Sequence, residues 1–148
     1  MSPRTLLAAA IGGSFLLGCA YPWPDVKSSA ECNGQQCDVA VTVSRHDTPD
    51  FRCFVEKAVP DQLIVKRPRP VLVKFELDPG SIAAGYRFPA GGNGIVFANP
   101  AGWECRALPG NTRIDCDNNA GPGPHKYLVN AVKGSTACEP LDPWVVNQ

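Results

Sequence analysis

Short stretches in which every second residue is apolar recur along the chain, and clusters of Pro, Gly and Asp separate them. This two-residue period is typical of β-strands that bury one face. The chain also holds 15 Pro and 14 Gly, which argues against long helices. We therefore expect an all-β fold, an antiparallel two-sheet sandwich of immunoglobulin-like architecture. The pattern predicts strands over residues 37–43, 51–55, 63–65, 71–77, 95–97, 103–108, 113–117, 126–132 and 144–146.

One hairpin can be predicted with its register. Gly110 and Asn111 form a two-residue turn signal between two alternating runs. If they are the loop, Cys105 lies opposite Cys116 and forms a disulfide with it. Trp103, Cys105, Ala107, Ile114 and Cys116 then share an apolar face. The opposite face carries Glu104, Arg106, Arg113, Asp115 and Asp117, with Arg106 opposite Asp115, and we expect it to face water.

The start of the chain has the order of a bacterial export signal. Arg4 precedes an apolar run over residues 6–17, and the run ends in Leu16-Leu17-Gly18-Cys19. These last four residues resemble the lipobox of bacterial lipoproteins. The resemblance implies cleavage before Cys19 and acylation of Cys19, including palmitate. Because Ala20 and not Asp follows the cysteine, it also implies an outer-membrane location facing the periplasm. The run of 12 residues is shorter than the roughly 20 that a spanning helix needs, so the predicted membrane link is the lipid anchor.

The cysteine count agrees with this prediction. The chain has seven cysteines, and an odd thiol is a liability in an exported protein. Acylation of Cys19 leaves an even set of six, which can form three disulfides in an oxidising compartment. Besides Cys105–Cys116, the preferred pairs are Cys32–Cys37 and Cys53–Cys138, although six cysteines allow 15 pairings.

Three segments follow from these observations. Residues 1–18 are predicted to be a lipoprotein signal peptide, residues 19–31 a flexible tether, and residues 32–148 the β-sandwich domain. In the tether, Tyr21 and Trp23 either lie at the lipid headgroups or pack on the domain. The chain has 14 basic and 14 acidic residues, and this balance does not predict a nucleic-acid partner.

Three short motifs resemble ligand sites only in part. Asp115-x-Asp117-x-Asn119 opens like a calcium loop, but Ala120 and Lys126 stand where the loop needs Gly and Glu. The Gly-rich residues 90–94 lack the Lys and Ser/Thr of a phosphate loop. The basic residues 66–70 are either a solvated loop or a contact with anionic lipid or envelope polymers. We expect no metal and no cofactor.

The sequence also offers no assembled catalytic group. There is no Gly-x-Ser-x-Gly, and nothing brings His46 or His125 to a serine, so we expect no enzyme activity. Four aromatic residues are candidates for a binding patch, although most aromatics in a sandwich of this size belong to the core. They are Phe54, Tyr86, Phe97 and Trp144.

Residues 37–148 resemble small uncharacterised bacterial all-β proteins. The resemblance rests on segments such as Pro60-Asp-Gln-Leu63, Asn93-Gly-Ile95 and Leu141-Asp-Pro-Trp144. It implies the fold and no activity. We therefore predict a non-enzymatic binding or structural lipoprotein of the cell envelope, with a possible envelope protein or polymer as partner. The alternative is a periplasmic inhibitor of a hydrolase such as lysozyme, to whose recognition loop Ala84-Gly85-Tyr86 is only faintly similar.

Overall fold

The computed structural model describes residues 27–45, 53–66, 68 and 70–148. The predicted signal peptide, the acylated Cys19 and most of the predicted tether lie outside these ranges. In the part of the chain that the structure describes, no helix has the length and apolarity needed to cross a bilayer.

The described chain is almost entirely β-structure. It contains one helix of five residues, α1 (Pro79–Ala83), and a single 3-10 turn at Ala90–Gly92. The strands are β1 (Ser29–Cys32), β2 (Gln36–Arg45), β3 (Cys53–Val59), β4 (Gln62–Val65), β5 (Val71–Leu77), β6 (Tyr86–Arg87), β7 (Ile95–Phe97), β8 (Trp103–Ala107), β9 (Arg113–Asn118), β10 (Gly123–Val129), β11 (Val132–Lys133), β12 (Thr136–Ala137) and β13 (Trp144–Asn147).

Two five-stranded sheets form the sandwich. Sheet I has the strand order β1-β4-β13-β10-β7, and sheet II has the order β3-β2-β5-β9-β8. A small third sheet has the order β12-β11-β6. The all-β class and the two main sheets agree with the prediction. The prediction of antiparallel sheets is wrong at three strand pairs, because β4 runs parallel to both β1 and β13, and β2 runs parallel to β5. Alternation of side chains along a strand does not reveal the direction of its neighbours.

The alternating pattern located most of the strands. Each of the nine predicted runs overlaps an observed strand, and the bounds of β5 and β7 are as predicted. The pattern missed β1, β6, β11 and β12, which have two to four residues and too few alternations to stand out. The strand β1 begins at Ser29, so residues 29–31, assigned above to the tether, belong to sheet I. The domain therefore starts before Cys32.

Aromatic side chains from both sheets meet in the core. Phe97 of sheet I stacks on Trp103 of sheet II, with ring centroids 3.8 Å apart. Phe75 of sheet II packs edge-on against Tyr127 of sheet I at 5.2 Å. Aliphatic residues such as Val39, Leu77 and Val145 surround these rings and are almost completely buried. The inward positions of the alternating strands thus form a single core between the sheets.

The predicted hairpin register is present. Cys105 lies opposite Cys116, and Ala107 lies opposite Ile114. The connecting loop is longer than two residues, because the strands end at Ala107 and Arg113. Its turn is closed by a hydrogen bond from the Asn111 N–H to the Leu108 carbonyl. Gly110 has a φ of +87°, which a side chain at this position would disfavour.

Three disulfides join the six described cysteines, and they are the pairs preferred above. Cys105–Cys116 bridges β8 and β9, and Cys32–Cys37 joins the end of β1 to β2. Cys53–Cys138 closes the longest loop, with a sequence separation of 85. Around this last bridge, the Glu139 N–H donates to the Cys53 carbonyl at 2.8 Å.

The short helix completes the hydrogen bonding of β2 beyond the end of β5. A bulge lies between Thr42 and Val43, and β5 pairs with β2 only as far as Val41. The buried hydroxyl of Ser81 accepts from the Val43 N–H at 2.8 Å and lies 3.3 Å from the Val43 carbonyl. Asp78 caps the helix by accepting from the Ser81 N–H at 2.9 Å. A single side chain therefore replaces a missing strand partner.

Candidate functional site

The outer face of sheet II is a charged surface. One row across four strands has alternating signs: Asp38 lies beside Lys74, Lys74 beside Asp115, and Asp115 beside Arg106. In the next row, Glu76 lies beside Arg113. Cross-strand neighbours of opposite charge attract one another, so most charged groups in these two rows face an opposite charge.

Two carboxylates on this face accept hydrogen bonds from arginine side chains. Arg113 donates two hydrogen bonds to Asp115, at 2.8 and 3.0 Å, and Arg106 donates one to Asp117 at 2.7 Å. The sequence predicted that Asp115 faces water, but its carboxylate is buried beneath its cationic neighbours. The hydrogen bonds from Arg113 lower the pKa of Asp115, and the charges of Lys74 and Arg106 act in the same direction. The Asp115-x-Asp117-x-Asn119 motif is thus part of an ion-pair surface.

The outer face of sheet I is apolar by comparison. Val96 and Leu128 lie opposite each other on β7 and β10, and their exposed fractions are 41% and 40%. Across the neighbouring strands, Ile64 lies beside Val146, and Val146 beside Pro124. Polar side chains share this face, since Lys126 and Gln62 flank Trp144 and Glu31 lies beside Ile64, so the apolar residues form patches within it.

A cavity of about 320 Å³, which we call the β1 pocket, opens beside the start of β1. Its apolar wall includes Val59, whose exposed fraction is 47%, together with Leu141 and Trp144. Four segments that are distant in the sequence supply the lining. The lining residues are Lys27, Ser28, Glu56, Lys57, Ala58, Val59, Asp61, Lys126, Leu141, Asp142 and Trp144.

The rim of the β1 pocket carries paired charges. Lys126 forms an ion pair with Asp142 at 2.5 Å, and its ammonium group lies 5.7 Å from the centre of the Trp144 ring. The Lys27 N–H donates to Asp61 Oδ2 at 3.2 Å. An apolar wall with a neutralised polar rim suits an aromatic or aliphatic group that has a polar backbone.

A second cavity, of about 430 Å³, lies at the small sheet. Arg45, Cys53, Tyr86, Lys133 and Thr136 line it, and the Lys133 ammonium group lies 5.2 Å from the centre of the Tyr86 ring. Tyr86 is buried. Ala84-Gly85-Tyr86, the segment faintly similar to the recognition loop of lysozyme inhibitors, therefore does not present its tyrosine at the surface.

The histidines and serines do not assemble a nucleophile with a base among the described residues. His125 Nε2 lies 2.9 Å from the Gly121 carbonyl, and its ring packs edge-on against Trp103. Ser81 serves the backbone of β2, as described above, and Ser44 donates to Glu56. His46 lies outside the described residues. Within the described ranges, no group of three or more His, Cys, Asp or Glu side chains could hold a metal ion.

The remaining predicted motifs have structural explanations where they are described. In the Gly-rich segment, a Cβ on Gly94 would lie 2.3 Å from the Ile114 side chain, so close packing requires a glycine there. In the basic segment, Lys66 pairs with Glu31 at 2.5 Å, whereas Arg67 and Arg69 lie outside the described residues. The two alternatives for the basic residues 66–70 therefore stay open.

Of the four aromatic candidates, Trp144 alone lines the β1 pocket. Phe97 and Tyr86 are buried, and Phe54 lies on β3 next to the Cys53–Cys138 bridge. The sequence named Trp144 but not its surroundings, because its pocket neighbours Lys27 and Val59 are far away in the chain. The apolar positions of the β1 pocket carry no local signal of their own.

The comparisons with known proteins do not assign the chain to a family. No family model matches it, and no curated protein matches it. Among solved structures, a reduced rusticyanin shares 14% identity, with a TM-score of 0.34 and coverage of 84% of this chain and 89% of that one. A rusticyanin variant shares 12% identity at the same TM-score, with 82% of each chain covered. A third match is described as a copper protein, also rusticyanin, at 12% identity and a TM-score of 0.34.

Proposed function

We propose that the chain is a lipid-anchored lipoprotein of the cell envelope that acts as a non-enzymatic binding or structural module. The observation that carries the proposal is the cysteine inventory. All six cysteines after Cys19 are paired in three disulfides, and the remaining one is Cys19 at the lipobox-like position. Structural disulfides persist in oxidising compartments such as the periplasm. Acylation would use the one thiol that has no cysteine left to pair with.

The proposed location is the outer membrane, with the domain facing the periplasm. Ala20 after the cysteine supports this sorting by resemblance to lipoproteins of Gram-negative bacteria. Two or more acyl chains would make the attachment stable, since a single chain binds only marginally.

Acylation can be tested by metabolic labelling with an alkyne-bearing fatty acid in a Gram-negative host. We expect label on the wild-type chain, none on the Cys19→Ser variant, and label retained on a Cys32→Ser/Cys37→Ser variant, which lacks a different cysteine pair. The mature mass should lack residues 1–18. Equal partition of the wild type and Cys19→Ser into the detergent phase would contradict the anchor.

The binding role rests on the surfaces of the domain. The apolar patches on the outer face of sheet I and the β1 pocket offer contact area, and the ion-paired face of sheet II offers a polar boundary. We would immobilise the soluble Cys19→Ser form and capture components of the native envelope. Enrichment of a defined envelope protein or polymer supports the proposal. Stoichiometric binding of a muramidase, with no envelope component enriched, would instead favour the hydrolase-inhibitor alternative.

We also infer an immunoglobulin-like arrangement within the all-β sandwich. Two packed sheets with alternating inward and outward residues support it. The parallel pairs of β4 and β2 depart from the purely antiparallel form of that architecture. An experimental structure would test the inference, and a strand order that no immunoglobulin-like domain shares would contradict it.

A further inference from the structure

The described chain begins at the wall of the β1 pocket and is firmly held there. The Lys27 N–H donates to Asp61 Oδ2 at 3.2 Å. The Ser28 hydroxyl accepts from the Asp61 N–H at 3.0 Å, and the Ser28 carbonyl accepts from the Gln62 N–H at 2.9 Å. Lys27 and Ser28 themselves line the pocket. The chain before Lys27 must therefore leave from the pocket rim.

One wall of the β1 pocket is apolar, although charged side chains line the rest of it. Val59 is the most exposed of the large hydrophobic residues in the described chain, at 47%. It lines the pocket together with Leu141 and the half-buried Trp144. Covering such side chains releases roughly 25 cal/mol for each Å² of apolar surface removed from water. The wall is thus suited to a ligand with an aromatic ring.

The preceding six residues have the matching chemistry. They read Tyr21-Pro-Trp23-Pro-Asp-Val26, with two aromatic rings and two prolines. Trp23 stands four residues before Lys27, within about 13 Å of it along an extended chain. Proline-rich segments in general favour extended polyproline-like conformations, and such segments dock on grooves lined with aromatic residues at a low entropic cost.

We infer that the β1 pocket is a binding site for the chain's own segment 21–26, with the Trp23 indole against Val59, Leu141 and Trp144. Because the site and its ligand belong to one chain, binding is intramolecular and its effective concentration is high. The inference goes beyond the proposed function and does not depend on acylation. If the chain is also acylated, only residues 20–22 lie between Cys19 and the docked Trp23, and this span reaches about 13 Å. The domain would then sit close to the membrane.

The experiment uses the mature chain with Cys19→Ser, so that its outcome is independent of the anchor. The protein is labelled with 5-fluorotryptophan, and the three resonances are assigned with Trp→Phe variants at positions 23, 103 and 144. We expect the Trp23 resonance to be protected from a water-soluble paramagnetic agent. The inference is overturned if the agent broadens this resonance as strongly as that of a free peptide with the sequence of residues 20–28.

A matched pair of variants tests the location of the docked ring. Val59→Asp should move the Trp23 resonance to the free-peptide position, whereas Val96→Asp, at a similarly exposed valine outside the pocket, should leave it unchanged. The Trp103 resonance reports the core, since that ring is buried against Phe97. An unmoved Trp23 resonance in Val59→Asp would contradict the inference.

A second variant avoids any change to the domain. If Val59→Asp also moves the Trp103 resonance, Trp23→Ala replaces it, and the Trp144 resonance is observed instead. A shift of the Trp144 resonance in Trp23→Ala supports docking of the segment. An unchanged Trp144 resonance contradicts the inference. For the acylated chain in phosphatidylethanolamine–phosphatidylglycerol vesicles, broadening of Trp23 by a headgroup spin label would place this ring in the lipid and overturn the inference.

Discussion

Asn118 and Asn147 form a reciprocal amide pair that joins the two sheets inside the core. Asn118 Nδ2 donates to Asn147 Oδ1 at 2.8 Å, and Asn147 Nδ2 donates to Asn118 Oδ1 at 3.2 Å. Asn118 ends β9 of sheet II, and Asn147 ends β13 of sheet I. Both residues are almost completely buried. The pair also serves the β9–β10 connection, because Asn118 Oδ1 accepts from the Ala120 N–H and Asn147 Nδ2 lies 3.3 Å from the Ala120 carbonyl.

Replacing both sides of this pair should cost less than the summed costs of replacing each side alone. Asn118→Leu and Asn147→Leu each leave the other amide short of a partner, and Asn118→Leu also removes the acceptor of the Ala120 N–H, at a cost of about 1–3 kcal/mol for buried groups. We expect the double variant Asn118→Leu/Asn147→Leu to lose less than the sum of the single variants. Urea unfolding of the four proteins measures this coupling. Strict additivity would show that the two amides act independently.

Ser81 should be important for stability although it lies in a helix of five residues. Ser81→Ala removes the group that accepts from the Val43 N–H, and the buried backbone beyond the bulge has no strand partner on that side. We expect a loss of about 1–3 kcal/mol in the free energy of unfolding. Ser135→Ala, at an exposed serine, is the control and should change it by less than about 0.5 kcal/mol. Equal losses in the two variants would contradict the bridging role.

We expect that the hydroxyl group of Tyr127 does not stabilise the fold. The side chain is buried beside Phe75, and its oxygen has no hydrogen-bond partner in the described part of the chain. This burial also raises the pKa of the phenol. Because a buried unpaired hydroxyl costs free energy, Tyr127→Phe should keep or increase the stability, by up to about 1 kcal/mol. A clear loss in urea unfolding would reveal a partner that the hydroxyl needs.

The contribution of each disulfide to stability should increase with the length of the loop that it closes. Their sequence separations are 85 for Cys53–Cys138, 11 for Cys105–Cys116 and 5 for Cys32–Cys37. On the chain-entropy model, replacing both cysteines by Ala should cost roughly 4.5, 3 and 2 kcal/mol in that order. Urea unfolding of the three double variants tests the ranking. If the Cys32–Cys37 variant loses the most, strain or packing outweighs loop entropy.

Features that depend on residues close together in the sequence could be predicted. The alternation placed the strand interiors, and the turn at Gly110 gave the pairing of Cys105 with Cys116. In contrast, the burial of Asp115 was missed. It depends on Lys74 of β5, which is more than 40 positions away and lies beside it only because β5 pairs with β9. Local patterns show which face of a strand a residue occupies, but not how its neighbours cover that face.

The β1 pocket could not be predicted for the same reason. Its wall combines Val59 at the end of β3, Leu141 in a loop and Trp144 at the start of β13. The parallel pairing of β4 with β1 and β13 joins the ends of the domain in one sheet. The sequence of β1 does not predict this pairing, because its first three residues are all exposed and show no alternation. The chain topology, rather than any motif, creates the site.

The ion pair of Arg113 with Asp115 should make stability depend on pH in a defined direction. The hydrogen bonds from Arg113 lower the pKa of Asp115 from its ordinary value of 3.8, so this contribution is fully present well above that value and is lost as the pH falls through the folded-state pKa. Arg113→Gln should therefore lower the free energy of unfolding most at pH 7, and the loss should shrink towards pH 2 as Asp115 becomes protonated. Arg106→Gln is the control, since its pair with Asp117 is more exposed and should matter less. Urea unfolding at pH 7, 5, 3 and 2 measures both. A loss in Arg113→Gln that is the same at every pH would mean that Arg113 stabilises the sheet through packing and not through the charge of Asp115.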